Sequence, residues 1–125
     1  MGQSMPLRRP IVLVVEDEPI LRLLALDLVE RAGFEAIEAA DADEAILILG
    51  SREDIAIVFT DIQMPGSMDG MKLANAIRDR WPPIKIILTS GHCREEELDL
   101  GPGHLFFAKP YDPVRVGQAL VNMAG

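Results

Sequence analysis

"IAIVFTDIQMPGSMDGMKLA", residues 55–74, changes texture twice over a short span. Residues 55–60 form an apolar, β-branched and aromatic run, the pattern of a strand covered on both faces. The run stops at a carboxylate, Asp61, and a Pro/Gly loop follows. Beyond the loop, "SMDGMKLANAIRDRWPP" reads as a helix that must end at Pro82 and Pro83, which cannot continue its hydrogen-bond ladder. Strand, polar loop, helix: one such unit implies little, but the same alternation extends in both directions.

Towards the N-terminus lie the apolar runs "IVLVVE" (11–16) and "FEAIEA" (34–39), and towards the C-terminus "IKIILT" (84–89) and "HLFFA" (104–108). Helical segments separate them. "PILRLLALDLVERAG" starts with Pro19 in its first turn and closes on Gly33. "DADEAILILG" starts with Asp41 as N-cap, and Glu44 completes a capping box. "YDPVRVGQALVNMAG" starts with Asp112 before Pro113. Five strands alternating with helices predict an α/β fold of flavodoxin type, a doubly wound (βα)₅ sandwich with helices on both faces of a five-stranded parallel sheet. The first, third and fourth runs are almost wholly apolar and belong in the centre. The second alternates apolar and charged residues and suits an edge. Residues 1–8 read as an N-terminal extension and residues 9–125 as the folded unit.

Length and charge narrow the function. A chain of 125 residues with 49% apolar content makes one domain with one sizeable core. Its formal charge of −8 repels nucleic acid and anionic membrane, and "LRRP" (7–10) holds the only adjacent basic pair. No apolar run approaches the ~20 residues that span a bilayer. The lone Cys93 cannot form an internal disulfide, and no signal peptide is visible, which fits a cytoplasmic protein.

In open α/β sheets, ligands bind beyond the carboxyl ends of the strands. The residues there are Glu16 and Asp17 after the first strand, Asp61 after the third, Thr89 and Ser90 after the fourth, and Lys109 after the fifth. Three converging carboxylates repel one another unless a cation or a proton joins them. Oxygen ligands without His or Cys select a hard ion, and few protein ligands with open positions favour Mg²⁺. A cation, an ammonium and a hydroxyl gathered around one carboxylate can receive a phosphoryl group, with the carboxylate as attacking oxygen. Asp61, central and opening onto the loop, is the best-placed attacker.

In order along the chain, "VLVVEDEP", "FTDIQMPGSMDGMKLA", "IILTSG" and "FFAKPYD" resemble the receiver domain of bacterial two-component response regulators, a CheY-like likeness covering about residues 9–124. The resemblance implies a sheet order of 2-1-3-4-5. It makes Asp61 the phosphoacceptor and places Mg²⁺ on Asp61, on Asp17, on Glu16 through water, and on the backbone carbonyl of Gln63. Thr89 becomes the switch hydroxyl, Lys109 the phosphate-binding lysine, Phe106 the aromatic that follows the threonine, and Pro110 a cis proline. Gln63 and Gly91 would flank the hydrolytic water. The implied donor is a sensor histidine kinase or a histidine phosphotransfer protein. The downstream protein target is unknown, with neither nucleic acid nor membrane as a partner. Since the chain stops after its last helix, output is expected through protein contacts, unless the domain is a relay or part of something longer.

Three departures from the family pattern stand out. Ser67 is an extra residue in "PGSMDG". The interval from Thr89 to Lys109 leaves only "HCREEELDL" for a fourth helix, which is two and a half turns at most. Phe106 lacks a tyrosine hydroxyl, so its switch can act only by packing. Three other readings compete with the receiver reading. A Mg²⁺-dependent phosphatase with an aspartyl nucleophile, as in haloacid dehalogenase-like enzymes, needs a second aspartate where Gln63 stands. A flavodoxin-like FMN carrier would want a hydroxyl- and glycine-rich loop in place of "EDEP". An interaction module that is never phosphorylated leaves no mark in sequence.

Overall fold

The computed structural model describes residues 9–64, 66, 68–98 and 100–125. The five apolar runs are strands β1 (Ile11–Val15), β2 (Glu35–Ala39), β3 (Ile55–Asp61), β4 (Lys85–Ser90) and β5 (His104–Ala108). All pair in parallel, in the order β2-β1-β3-β4-β5 that the resemblance implies. Helices α1 (Pro19–Arg31), α2 (Ala42–Ser51), α3 (Gly70–Arg80) and α4 (Pro113–Ala124) cover the two faces.

Alternation along the strands divides the core. Leu13, Val15, Val58, Ile86 and Leu88 face α2 and α3, meeting Leu49, Leu73 and Ile77. Val12, Val14, Ile57, Phe59 and Ile87 face α1 and α4, meeting Leu28, Val29, Val116 and Leu120. Neighbours point to opposite faces, so a central strand must be apolar at every position, and β1 is buried throughout. β2 lies at an edge with Glu35 and Glu38 exposed, as its alternation predicts.

Helix starts follow the caps read from sequence. The Asp41 side chain accepts from the Glu44 amide at 2.8 Å, and Asp112 accepts from the Val114 amide at 2.9 Å. Glu44 closes its box one residue further back, accepting from the Ala40 amide at 2.6 Å. Gly33 follows α1 with φ 99°, a left-handed conformation that glycine adopts without strain.

The fourth helix expected in "HCREEELDL" does not form. A single 3₁₀ turn, Glu95–Glu97, stands between β4 and β5. The segment has three consecutive glutamates and no apolar stripe at helical spacing, so a longer helix would have nothing to bury. Glu97 instead turns its carboxylate back to the Arg94 amide at 3.0 Å. Cys93, Leu98 and Leu100 pack on the core beside Phe106 in that helix's stead. Ser67 and residues 1–8 lie outside the described residues, so neither the extra loop residue nor the extension is placed. No helix among the described residues is long and apolar enough to cross a membrane.

Candidate functional site

β3 carries Asp61 to the carboxyl edge of the sheet between β1 and β4, with its carboxylate only 8% exposed. The Gln63 amide donates to Oδ1 at 3.3 Å, and Lys109 Nζ donates to Oδ2 at 2.9 Å. Lys109 comes from the end of β5, where its amide bonds the Ser90 carbonyl at 2.9 Å. The following Lys109–Pro110 bond is cis, as expected.

Glu16 and Asp17 follow β1. Buried Glu16 accepts from the Glu18 amide at 3.1 Å and from Lys109 Nζ at 3.3 Å. Its carbonyl takes a 2.9 Å bond from Arg22 Nη1, while Arg22 Nε bonds Glu38 on β2 at 3.1 Å. Arg22 therefore ties α1 to the acidic turn. One carboxylate oxygen from each of Glu16, Asp17 and Asp61 lies within 4.8 Å of the others. Sequence reasoning placed these three together from strand ends alone, and the fold brings them together.

The electrostatics of the cluster are unbalanced. Burial holds the Glu16 carboxyl above its ordinary value and is only partly offset by the Glu18 amide and Lys109. For Lys109, burial pulls downward, but the hydrogen bond and charge of Asp61, aided by Glu16, outweigh it and raise its pKa. One ammonium faces three carboxylates. An all-oxygen donor set with surplus negative charge suits a hard divalent cation, so the residues present fit Mg²⁺.

Thr89 is paired in register with Asp61 and is 3% exposed. With Glu16, Asp61 and Tyr111 it lines a slit of about 10 Å³, room for no more than a water molecule. That slit is too small to take a phosphoryl group. Phe106 pairs with Leu88 on β4 and is half-buried against the α2/α3 core, so it stands on the sheet face opposite Thr89. Phe106 packs in the same cluster as Cys93, Leu98 and Leu100, where a fourth helix was expected. At Gly91, a Cβ would meet only Lys109 Cβ at 3.9 Å.

Two further positions matter here. A Cβ on Gly70, the first residue of α3, would overlap the Asp61 carbonyl and come within 2.7 Å of Ile62 Cα. The start of α3 can approach the end of β3 only because residue 70 has no side chain. Ser90 was noted at its strand end without a role. Its hydroxyl donates to Gln63 Oε1 at 2.5 Å and accepts from the His92 and Cys93 amides at 3.0 Å each. The Gln63 contact is invisible without knowing that the ends of β3 and β4 are neighbours.

Residues 12–120 match the response regulator receiver domain family. The chain belongs to that family. Among solved structures, this receiver domain is similar to a response regulator receiver protein from Sinorhizobium medicae, with TM-score 0.84 and 28% identity, covering 92% of this chain and 94% of that one. A response regulator receiver protein from Pseudomonas putida gives TM-score 0.80 and 32% identity, covering 93% and 98%. Among curated relatives, the nitrogen assimilation regulatory protein NtrX of Azorhizobium caulinodans is 34% identical over 65% of this chain and 18% of its own length. The aerobic respiration control protein ArcA of Escherichia coli is 31% identical over 86% of this chain and 45% of its own length. The receiver domain thus spans less than half of either curated relative. Its family is that of two-component signalling switches rather than of conventional enzymes.

Proposed function

We propose that residues 9–125 are a phosphorylation-dependent switch, and that Asp61 accepts a phosphoryl group from a phosphohistidine on a sensor histidine kinase or histidine phosphotransfer protein in the cytoplasm. The observation that carries this is the buried Asp61 carboxylate, with Lys109 Nζ at 2.9 Å and the Glu16 and Asp17 carboxylates within 4.8 Å. An Asp61 oxygen attacks phosphorus, the new O–P bond forms in line, and the N–P bond breaks with its electron pair left on the imidazole nitrogen. Asp61, Asp17, Glu16 and the Gln63 carbonyl would hold Mg²⁺. When bound, that ion neutralises charge on the transferring oxygens.

The chain's own groups do the rest. Lys109 offsets the added charge, and Thr89, next to Asp61 across the strands, turns its hydroxyl to a phosphoryl oxygen. That contact exists in one state only, as a two-state switch requires. Phe106 stands on the other sheet face, so any movement of Thr89 reaches it through the β4–β5 backbone and not by side-chain packing. The acyl phosphate is removed by water, whose approach Gln63 and Gly91 flank. The output is a protein contact.

Acetyl phosphate tests the reading without a kinase. Asp61 attacks its phosphorus and acetate leaves. With Mg²⁺, intact mass should show one phosphate adduct, absent in Asp61→Asn and absent after chelation. A parent chain that binds Mg²⁺ yet gains no mass would overturn the proposal.

A further inference from the structure

Outside the phosphoacceptor chemistry, the described residues contain one polar network that closes on itself. The Ser90 hydroxyl donates to Gln63 Oε1 at 2.5 Å, Gln63 Nε2 donates to Cys93 Sγ at 3.2 Å, and the Cys93 amide donates back to Ser90 Oγ at 3.0 Å. With the His92 amide also bound, the hydroxyl uses its single donor and both acceptor sites. Ser90 is 1% exposed, so losing any of these partners leaves a buried polar atom wanting.

The ring joins three parts that meet at the site. Gln63 belongs to the β3–α3 loop, and its backbone amide bonds Asp61 Oδ1 at 3.3 Å. Ser90 ends β4 one residue after Thr89, and its carbonyl holds the Lys109 amide at 2.9 Å. Cys93 begins the connection that runs through the 3₁₀ turn to Leu98, where a helix was expected. Gln63 thus touches the reacting carboxylate with its main chain and the connection with its side chain.

We propose that Ser90 is a positioning residue that fastens the 92–98 connection to the phosphoacceptor loop through this ring, and that the ring opens when Asp61 carries a phosphoryl group. The second half rests on the phosphoacceptor reading above; the first half does not. A phosphoryl group on Asp61 displaces the Gln63 amide from Oδ1, and movement of Thr89 draws Ser90 along the chain. Both shifts act on a ring whose cooperativity makes partial retention costly. The opened connection presents Cys93, Leu98 and the three glutamates in a new arrangement.

Cys93 is the chain's one cysteine, so its alkylation by iodoacetamide, timed by intact mass, reads the ring, and the same spectrum counts phosphate adducts. The phosphorylated species should alkylate about fivefold faster than the unmodified chain, the effect of losing roughly one neutral hydrogen bond. Ser90→Ala and Gln63→Leu should both be fast without phosphate and gain nothing from it. Gln63 is exposed, so its variant tests the ring even should the buried Ser90 variant fold poorly. A mass-verified phosphorylated chain that alkylates at the unmodified rate would overturn the opening step. Variants that alkylate at the parent's unphosphorylated rate would overturn the ring itself. Should no adduct form, the phosphoacceptor reading fails and the ring is judged on the two variants alone.

Discussion

Glu16 shows how a single residue can be placed against its own stability. Burial raises its pKa above 4.5, so the folded state favours the protonated form. A carboxyl with a raised folded pKa contributes stability that is complete below the unfolded value and is lost as pH rises through the folded one. In the presence of a chelator, the parent should therefore fall behind Glu16→Gln as pH climbs from 4.5 through the raised folded value, and no further beyond it. Mg²⁺ should reverse the ranking at neutral pH, since the ion needs the ionised carboxylate. Denaturant unfolding of both chains across that range measures the difference. A gap that does not change with pH would show that Glu16 is not the strained group. Lys109 has the same sign in a different window: its raised pKa contributes stability that is complete below 10.5 and is lost as pH rises through the higher folded value.

At the scale of elements, the approach of α3 to β3 depends on Gly70. Its amide bonds the Ile62 carbonyl at 2.8 Å, and any β-carbon would collide with the backbone of Asp61 and Ile62. Gly70→Ala should destabilise the fold by about 3 kcal/mol, at the upper end for overpacking, because the obstruction is backbone and not a flexible side chain. It should also lower the yield of phosphate adduct in what remains folded. Equilibrium unfolding measures the first effect, and a loss below about 0.5 kcal/mol would mean that α3 moves aside freely. The strands and caps were legible in the sequence because each depends on near neighbours: β1 is apolar without a break, and Asp41 lies three residues before the amide it binds. The acidic cluster was legible because strand ends converge in any sheet of this kind. The missing helix was harder to read. Glutamates favour helices by intrinsic propensity, and only the lack of an apolar stripe speaks against one at 93–98. Gly70 meets backbone across a loop whose path no local pattern records, and the Ser90 ring joins residues 27 and 30 positions apart.

For the whole molecule, the fold gathers an excess of negative charge at one edge of the sheet within a chain already at −8. A cation bound only by the folded state stabilises it by mass action, about 2.7 kcal/mol at a hundredfold excess over Kd. Thermal unfolding should therefore move upward with Mg²⁺ concentration, and Asp61→Asn, with one carboxylate fewer, should move less. An unchanged midpoint over a wide Mg²⁺ range would remove the ion from the account. The same architecture sets the strength of any message sent from it. Beside Phe106 on β5, the cover among the described residues is one short turn and three half-buried side chains, Cys93, Leu98 and Leu100, rather than a full amphipathic cylinder. Were phosphorylation to reshape so light a lid, little apolar area would move, and the energetic contrast between the two forms would be small. A partner that read so faint a difference would have to grip the domain at several points at once.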